Sequence, residues 1–157
     1  MDARRYSPDS YNGLEVHDNK GERAMSTESR LQMPLFLLRI GVFIVMFMWT
    51  IDKFVNPEHA AAVYENFYFI GGLGATTFLV IGLIELVVIV GFLLGVKKTI
   101  TYGLVLALHA VSTLSSWEQY LDFDSLLFFA AWPMLAACYA LFVLRDLDTR
   151  FTLAKFA

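Results

Sequence analysis

Four long apolar runs dominate this chain and leave few folds open to it; they cover about 33–54, 76–95, 99–117 and 125–144. A helix needs roughly 20 residues to cross a ~30 Å hydrocarbon core, and runs of this length meet that demand. None alternates at period two, which argues against a transmembrane barrel. Of 157 residues, 57% are hydrophobic and 17% charged, whereas a soluble domain is about half apolar and about a quarter charged. The expected fold is therefore all-α: a transmembrane four-helix up-down bundle joined by short links. Pro34 is expected in the first turn of the first helix, where its missing N–H costs nothing.

Residues 1–32 are read as a polar, flexible tail, because acids and bases alternate there with almost no apolar periodicity. No apolar run follows the first arginines, so the tail does not read as a signal peptide. Residues 57–70, between the first two spans, carry Glu58, His59, Glu65 and Asn66 on one helical face and many aromatics. That pattern predicts a short interfacial helix, stopped at Gly71–Gly72. The tail, the Lys97–Lys98 link and the C-terminal Arg145, Arg150 and Lys155 collect the basic residues, against Lys53 alone on the other side. The positive-inside rule then puts both termini in the cytoplasm of a multi-pass protein of the plasma (inner) membrane.

Several chemistries are excluded. The net charge of −3 gives no support to nucleic-acid binding. One cysteine, Cys138, cannot form an intramolecular dithiol, and it is expected to be a packing residue. His17, His59 and His109 lie too far apart in kind to supply paired haem ligands, and no metal-ligand spacing is present. Neither a phosphate-cradling glycine loop nor a nucleophile elbow occurs.

Ionisable residues inside apolar spans are costly, so each needs a reason. Arg39 is expected to snorkel toward the cytoplasmic surface, and Asp52 and Lys53 to sit as an interfacial pair. Glu85 lies twelve residues before Lys97 and His109 twelve after it. Two antiparallel helices hinged there place both at one depth, roughly 18 Å from the turn. Tyr102, Ser112, Thr113 and Ser116 share the face of His109, and such a polar stripe must face protein or water. Two readings stay open: a catalytic proton-handling pair, or interhelical glue worth about 1 kcal/mol. Arg39 is a candidate to hold the far end of a relay or to compensate Glu85. In the fourth span Pro133 frees the carbonyl of Phe129, and Phe128, Trp132, Leu135 and Tyr139 repeat around it at helical spacing. Such a stripe is more often core or lipid-facing than a ring-binding site, yet a flat apolar ligand such as a quinone suits it, with Trp132, Tyr139 and Tyr102 as candidate ring contacts.

Span one reads LLRIGVFIVMFMWTIDKF, with Arg39 early and Lys53 fourteen residues on, and span two carries Gly82-Leu-Ile-Glu85 and closes at Gly95 before two lysines. Over residues 33–117 this resembles the DoxX family of small four-helix membrane proteins, with Arg39, Lys53 and Glu85 as the matched positions. Trp49-Thr50 stands where many members have His-Gly, and Val88 or Ile89 where a glycine is common. The resemblance implies a subunit or accessory protein of a quinone-linked redox system, of the thiosulfate:quinone oxidoreductase or redox-stress kind. It implies no assigned catalytic residue. Its expected partners are the lipid bilayer and other membrane redox subunits, and self-association is compatible with it. With no haem, flavin or metal motif in the sequence, no covalently bound cofactor is expected, electrons are expected from a partner or a bound cofactor, and any activity is expected only as part of a complex. The alternatives are a structural or assembly subunit of a larger membrane complex, or a small proton-coupled transporter using Glu85 and His109.

Overall fold

The computed structural model describes residues 20–153, with side chains from Thr27 onward. Residues 1–19, and with them most of the expected tail, lie outside the described residues, as does Lys155. The described residues form α1 (Lys20–Val55), α2 (Pro57–Tyr68), α3 (Ala75–Leu93), α4 (Lys98–Ser115) and α5 (Ala131–Val143). Two 3-10 helices, Trp117–Leu121 and Phe123–Ala130, join α4 to α5. No strand occurs among the described residues, so the all-α expectation holds there.

α1 starts at Lys20, well inside the segment read as a flexible tail, and Pro34 lies in the helix interior rather than its first turn. The residues before it include Glu28, Arg30, Leu31 and Gln32, strong helix formers that continue the helix through the proline. The cost is local: Pro34 withholds a donor from the carbonyl of Arg30.

Three helical stretches are long and apolar enough to cross a membrane: Thr27–Val55, Ala75–Leu93 and Phe123–Val143. α4 has 18 residues but carries Thr99, Thr101, Tyr102, His109, Ser112, Thr113 and Ser115, and this polar content separates it from the other three. Its stripe faces protein, as its chemistry demands: Tyr102, His109, Thr113 and Ser116 are buried, and Ser112 is half-buried. By contrast α3 turns Leu79, Val80, Leu83, Ile84 and Val87 outward. An outward apolar face that continuous fits contact with lipid tails.

α1 packs on α3, α3 on α4, α4 on α5, and α5 returns to α1. Leu35, Val42, Ile89, Phe92, Val105, Cys138 and Leu141 form the core between them. Gly82 gives the α1–α3 crossing its closeness, since a Cβ there would stand 2.8 Å from Cζ of Phe54 and the ring would have to shift. The turn from α3 to α4 is a Schellman closure, with Gly95 N–H on Phe92 O at 3.0 Å and Val96 N–H on Gly91 O at 2.9 Å. Gly95 adopts φ +65° there, which a side chain would strain, and Lys97 follows at φ +46°.

Two stops differ from expectation. α2 ends at Tyr68, with Phe69 in the left-handed region at φ 58° and its N–H returned to the carbonyl of Tyr64. The glycine pair at 71–72 therefore does not make the stop. The fourth apolar run does not wind as one α-helix either. Its first part is the 3-10 helix Phe123–Ala130, broken at Ser125 (φ −106°, ψ 29°), and Pro133 falls in the first turn of α5. Proline is tolerated in that turn, and the N–H of Ala131 serves the carbonyls of Phe128 and Phe129.

After α5 the chain folds back across the end of the helices where α1 enters. Gln32 Nε2 donates to Leu147 O at 2.6 Å, and Gln32 Oε1 accepts from Thr149 Oγ1 at 2.8 Å and from Thr149 N–H at 3.2 Å. Lys98 Nζ donates to Asp148 O at 2.7 Å, and Leu153 N–H to Leu94 O at 2.8 Å. Phe36 and Phe151 pack with ring centroids 4.9 Å apart.

Candidate functional site

A cavity of about 1360 Å³ runs between α1 on one side and α4 and α5 on the other, with α2 over one end. Its mouth is formed by exposed apolar residues, Leu37 and Trp49 of α1 facing Leu127 and Phe128 before α5. It is a groove that opens sideways onto the apolar flank of the molecule. The polar side chains of its lining, among them Lys53, Tyr64, Tyr68, Glu85, His109 and Ser112, lie in the half toward α2, interleaved with the apolar Trp49, Val63, Phe67 and Phe128. The other half is apolar, lined by Pro34, Leu38, Gly41, Leu104, Met134 and Ala137.

Lys53 and Glu85 meet in the polar half, Nζ to Oε2 at 2.9 Å, with side chains only 9% and 15% exposed. Thr50 Oγ1 lies 3.3 Å from the same Glu85 oxygen. Lys53 also donates to the carbonyl of Trp49 at 3.2 Å, which fixes the ammonium over its own last turn. This differs from the expected interfacial Asp52–Lys53 pair. Asp52 instead accepts from His59 Nδ1 at 2.7 Å, at the exposed junction of α1 and α2. The reason is the crossing at Gly82: the Phe54 ring fills the space over that glycine. It thereby carries the end of α1 down to the level of Glu85, one turn further along α3.

Tyr64 reaches the same half of the groove from α2 and packs edge-on against Phe78. Burial, then the negative charge of Glu85, then Tyr68 push its phenol up to about 12. It is a neutral hydroxyl at any physiological pH, able to donate a hydrogen bond beside the Lys53–Glu85 pair. Nothing in its sequence context singled it out, since aromatic anchoring of an interfacial helix predicts a tyrosine there equally well.

His109 lines the groove, but its hydrogen bond goes to the backbone: Nε2 donates to the carbonyl of Ala131 at 3.1 Å. A carbonyl only accepts, so Nε2 carries the proton. The imidazole thus braces the start of α5 from α4. Glu85 and His109 share the cavity, yet the partner of Glu85 is Lys53 and that of His109 is Ala131. The direct pair expected from equal depth is replaced by two separate contacts facing one space.

Arg39 neither snorkels nor compensates Glu85. Its side chain is fully buried, Nη1 lies 3.0 Å from Asp148 Oδ2 and 3.2 Å from the Tyr102 hydroxyl, and Nη2 donates to the carbonyl of Arg150. Tyr102 in turn donates to Asp148 Oδ2 at 2.7 Å. The pairing uses one oxygen only, since Arg39 Nε and Asp148 Oδ1 are buried without a hydrogen-bond partner. Asp148, itself fully buried, is the member of this cluster that sequence reasoning missed.

None of the expected ring contacts lines the groove. Tyr102 belongs to the Arg39 cluster, while Trp132 and Tyr139 are 45% and 61% exposed and are not part of the cavity lining. The stripe assumes α-helical spacing through Pro133, but the chain up to Ala130 winds as a 3-10 helix, which advances about 120° per residue instead of 100°. Phe128 keeps its place in the groove and Trp132 does not, packing instead against Tyr120 with ring centroids 5.7 Å apart. No family model matches the chain, and no curated protein or solved structure is significantly similar to it.

Proposed function

We propose that this chain is a DoxX-like integral membrane subunit or accessory protein of a quinone-linked redox system, in which the groove holds the quinone. In this reading α1, α3, α4 and the 123–143 segment all span the plasma membrane. The cytoplasmic side is the Arg39 end, where Arg30, Lys97, Lys98, Arg145 and Arg150 gather. The observation that carries the proposal is the groove's opening among exposed apolar side chains together with the confinement of its polar side chains to one half. A membrane-dissolved ligand must arrive sideways, and one with a polar head and a long tail needs that division.

A bound quinone supplies redox chemistry, taking up electrons and protons in equal number to become the quinol. The electrons come from a partner subunit of the redox class. The chain's own residues bind and orient: hydroxyl donors at Tyr64, Tyr68 and Ser112 suit ring carbonyls, and Glu85, held by Lys53 and Thr50, is the acid–base group nearest the head. The test is saturable binding of a quinone analogue to the full-length chain in nanodiscs, weakened by Glu85→Gln or His109→Gln with the fold intact. If well-folded protein shows no saturable binding, alone or with its native partners, the proposal fails.

A structural or assembly subunit is the second reading. It is favoured by the internal partners that the buried ionisable groups already have: Lys53 with Glu85, Arg39 with Asp148, His109 with Ala131. Such pairs specify packing without any chemistry. A proton-coupled transporter has less behind it, because the Arg39 end is covered by the returning C-terminal segment.

A further inference from the structure

Resting on the quinone reading, we infer the orientation of the ligand: its ring lies in the half of the groove under α2, and its tail runs along α1 toward Pro34. Three observations carry this. The side chains with polar ends cluster at one end of the cavity, where Lys53, Tyr64, Glu85, His109 and Ser112 converge. The opposite half offers Leu38, Gly41, Leu104, Met134 and Ala137, none of which can satisfy a ring carbonyl. Arg39, the strongest donor near that opposite half, is unavailable to a ligand, being fully buried and committed to Asp148, Tyr102 and Arg150.

The small residues set the width of the tail channel. Gly41 meets nothing within 4 Å of where a Cβ would stand, so it leaves space along α1 rather than closing a helix contact. Across the groove Ala137 is the corresponding small side chain on α5. Removing polar bulk from this half and keeping the mouth apolar lets a chain lie against α1 while its far end remains in lipid. The head then sits on the side of α2, and the redox partner approaches from that side, because the returning segment 144–153 covers the other end.

The experiment uses the full-length chain in nanodiscs and two photoreactive decyl-quinones, one carrying an azide on the ring and one a diazirine at the tail tip. The ring label is expected on peptides containing Tyr64, Tyr68 or Ser112, the tail label on those containing Pro34–Gly41 or Ala137, and both are competed by unlabelled quinone. A reversed distribution, or ring label in both halves, overturns the orientation while leaving the quinone reading standing. Labelling that unlabelled quinone does not compete overturns both. As a second arm, Ala137→Phe should weaken the decyl compound about tenfold, the loss of contact for roughly two methylenes, and leave a tail-less ring compound unchanged. Equal weakening of the two compounds places the ring, not the tail, beside Ala137 and refutes the orientation.

Discussion

Replacing Asp148 by alanine isolates the energetics of the Arg39 cluster. Both side chains are 0% exposed, so the variant leaves a guanidinium buried without its counter-charge. Removing one partner of such a pair costs about 3–5 kcal/mol. The protein has a cheaper response than tolerating that charge: it can release the segment 144–153 and let water reach Arg39. Apart from the bonds of the Arg39 cluster, that segment is held by six hydrogen bonds, three to Gln32 and one each from Lys98, Arg145 and Leu153. At about 1 kcal/mol net for each bond, holding and releasing come close to balance. Asp148→Ala should therefore lower hydrogen-exchange protection at Leu147, Thr149 and Leu153 by about a hundredfold, with α3 and α4 unaffected. The double change Arg39→Met with Asp148→Ala removes the stranded charge and should recover most of the protection. Unchanged protection in the single variant, or a double variant that opens further, would refute this account of what holds the segment down.

Three further outcomes are expected. In a double-mutant cycle on detergent stability, Lys53→Met and Glu85→Gln should be strongly non-additive, because their charged atoms lie 2.9 Å apart. Glu85→Gln with His109→Gln should be nearly additive; the reverse pattern would show that the wrong pair has been joined. Gly82→Ala pushes a Cβ to 2.8 Å from the Phe54 ring, and thermal unfolding should reveal a loss of about 1–3 kcal/mol that Phe54→Leu largely relieves. Tyr64, raised to about 12 in the folded chain, contributes stability that is full below its unfolded value near 10 and lost as pH rises through about 12. Alkaline unfolding followed by circular dichroism should therefore begin later in Tyr64→Phe than in the parent chain, and identical profiles would remove Tyr64 from the buried environment described.

How much of this was legible beforehand differs from helix to helix. Apolar run length located α3 to within two residues, because composition alone limits where a nonpolar helix can stop. The stripe through His109 was equally readable, since spacings of three, four and seven residues need only a regular helix, and α4 is one. The partnership of Lys53 with Glu85 was not. It depends on how far α1 reaches along α3, and between them the chain passes through α2 and a glycine-rich link of no fixed register. The candidate ring contacts lie outside the groove for a sharper reason: a stripe is only as good as the assumed pitch, and the pitch changes at Ala130. Asp148 is one of two acids in an RDLDTR run with no apolar periodicity around it, and only the burial of Arg39 reveals that one of those acids points inward.

The distance along the chain between Arg39 and Asp148 has a consequence for biosynthesis. Their separation is 109 residues, so a ribosome adding about 5–20 residues per second completes α1 roughly 5–20 s before it supplies the counter-ion. Throughout that interval the first helix carries a cation without its counter-ion. Arg39 must snorkel to the headgroups, or the helix must stay shallow or be shielded by an insertion factor, until the last helix has been delivered. A nascent chain cut short before Asp148 would retain that exposed charge, which gives cellular surveillance a chemical mark by which to tell unfinished copies from finished ones.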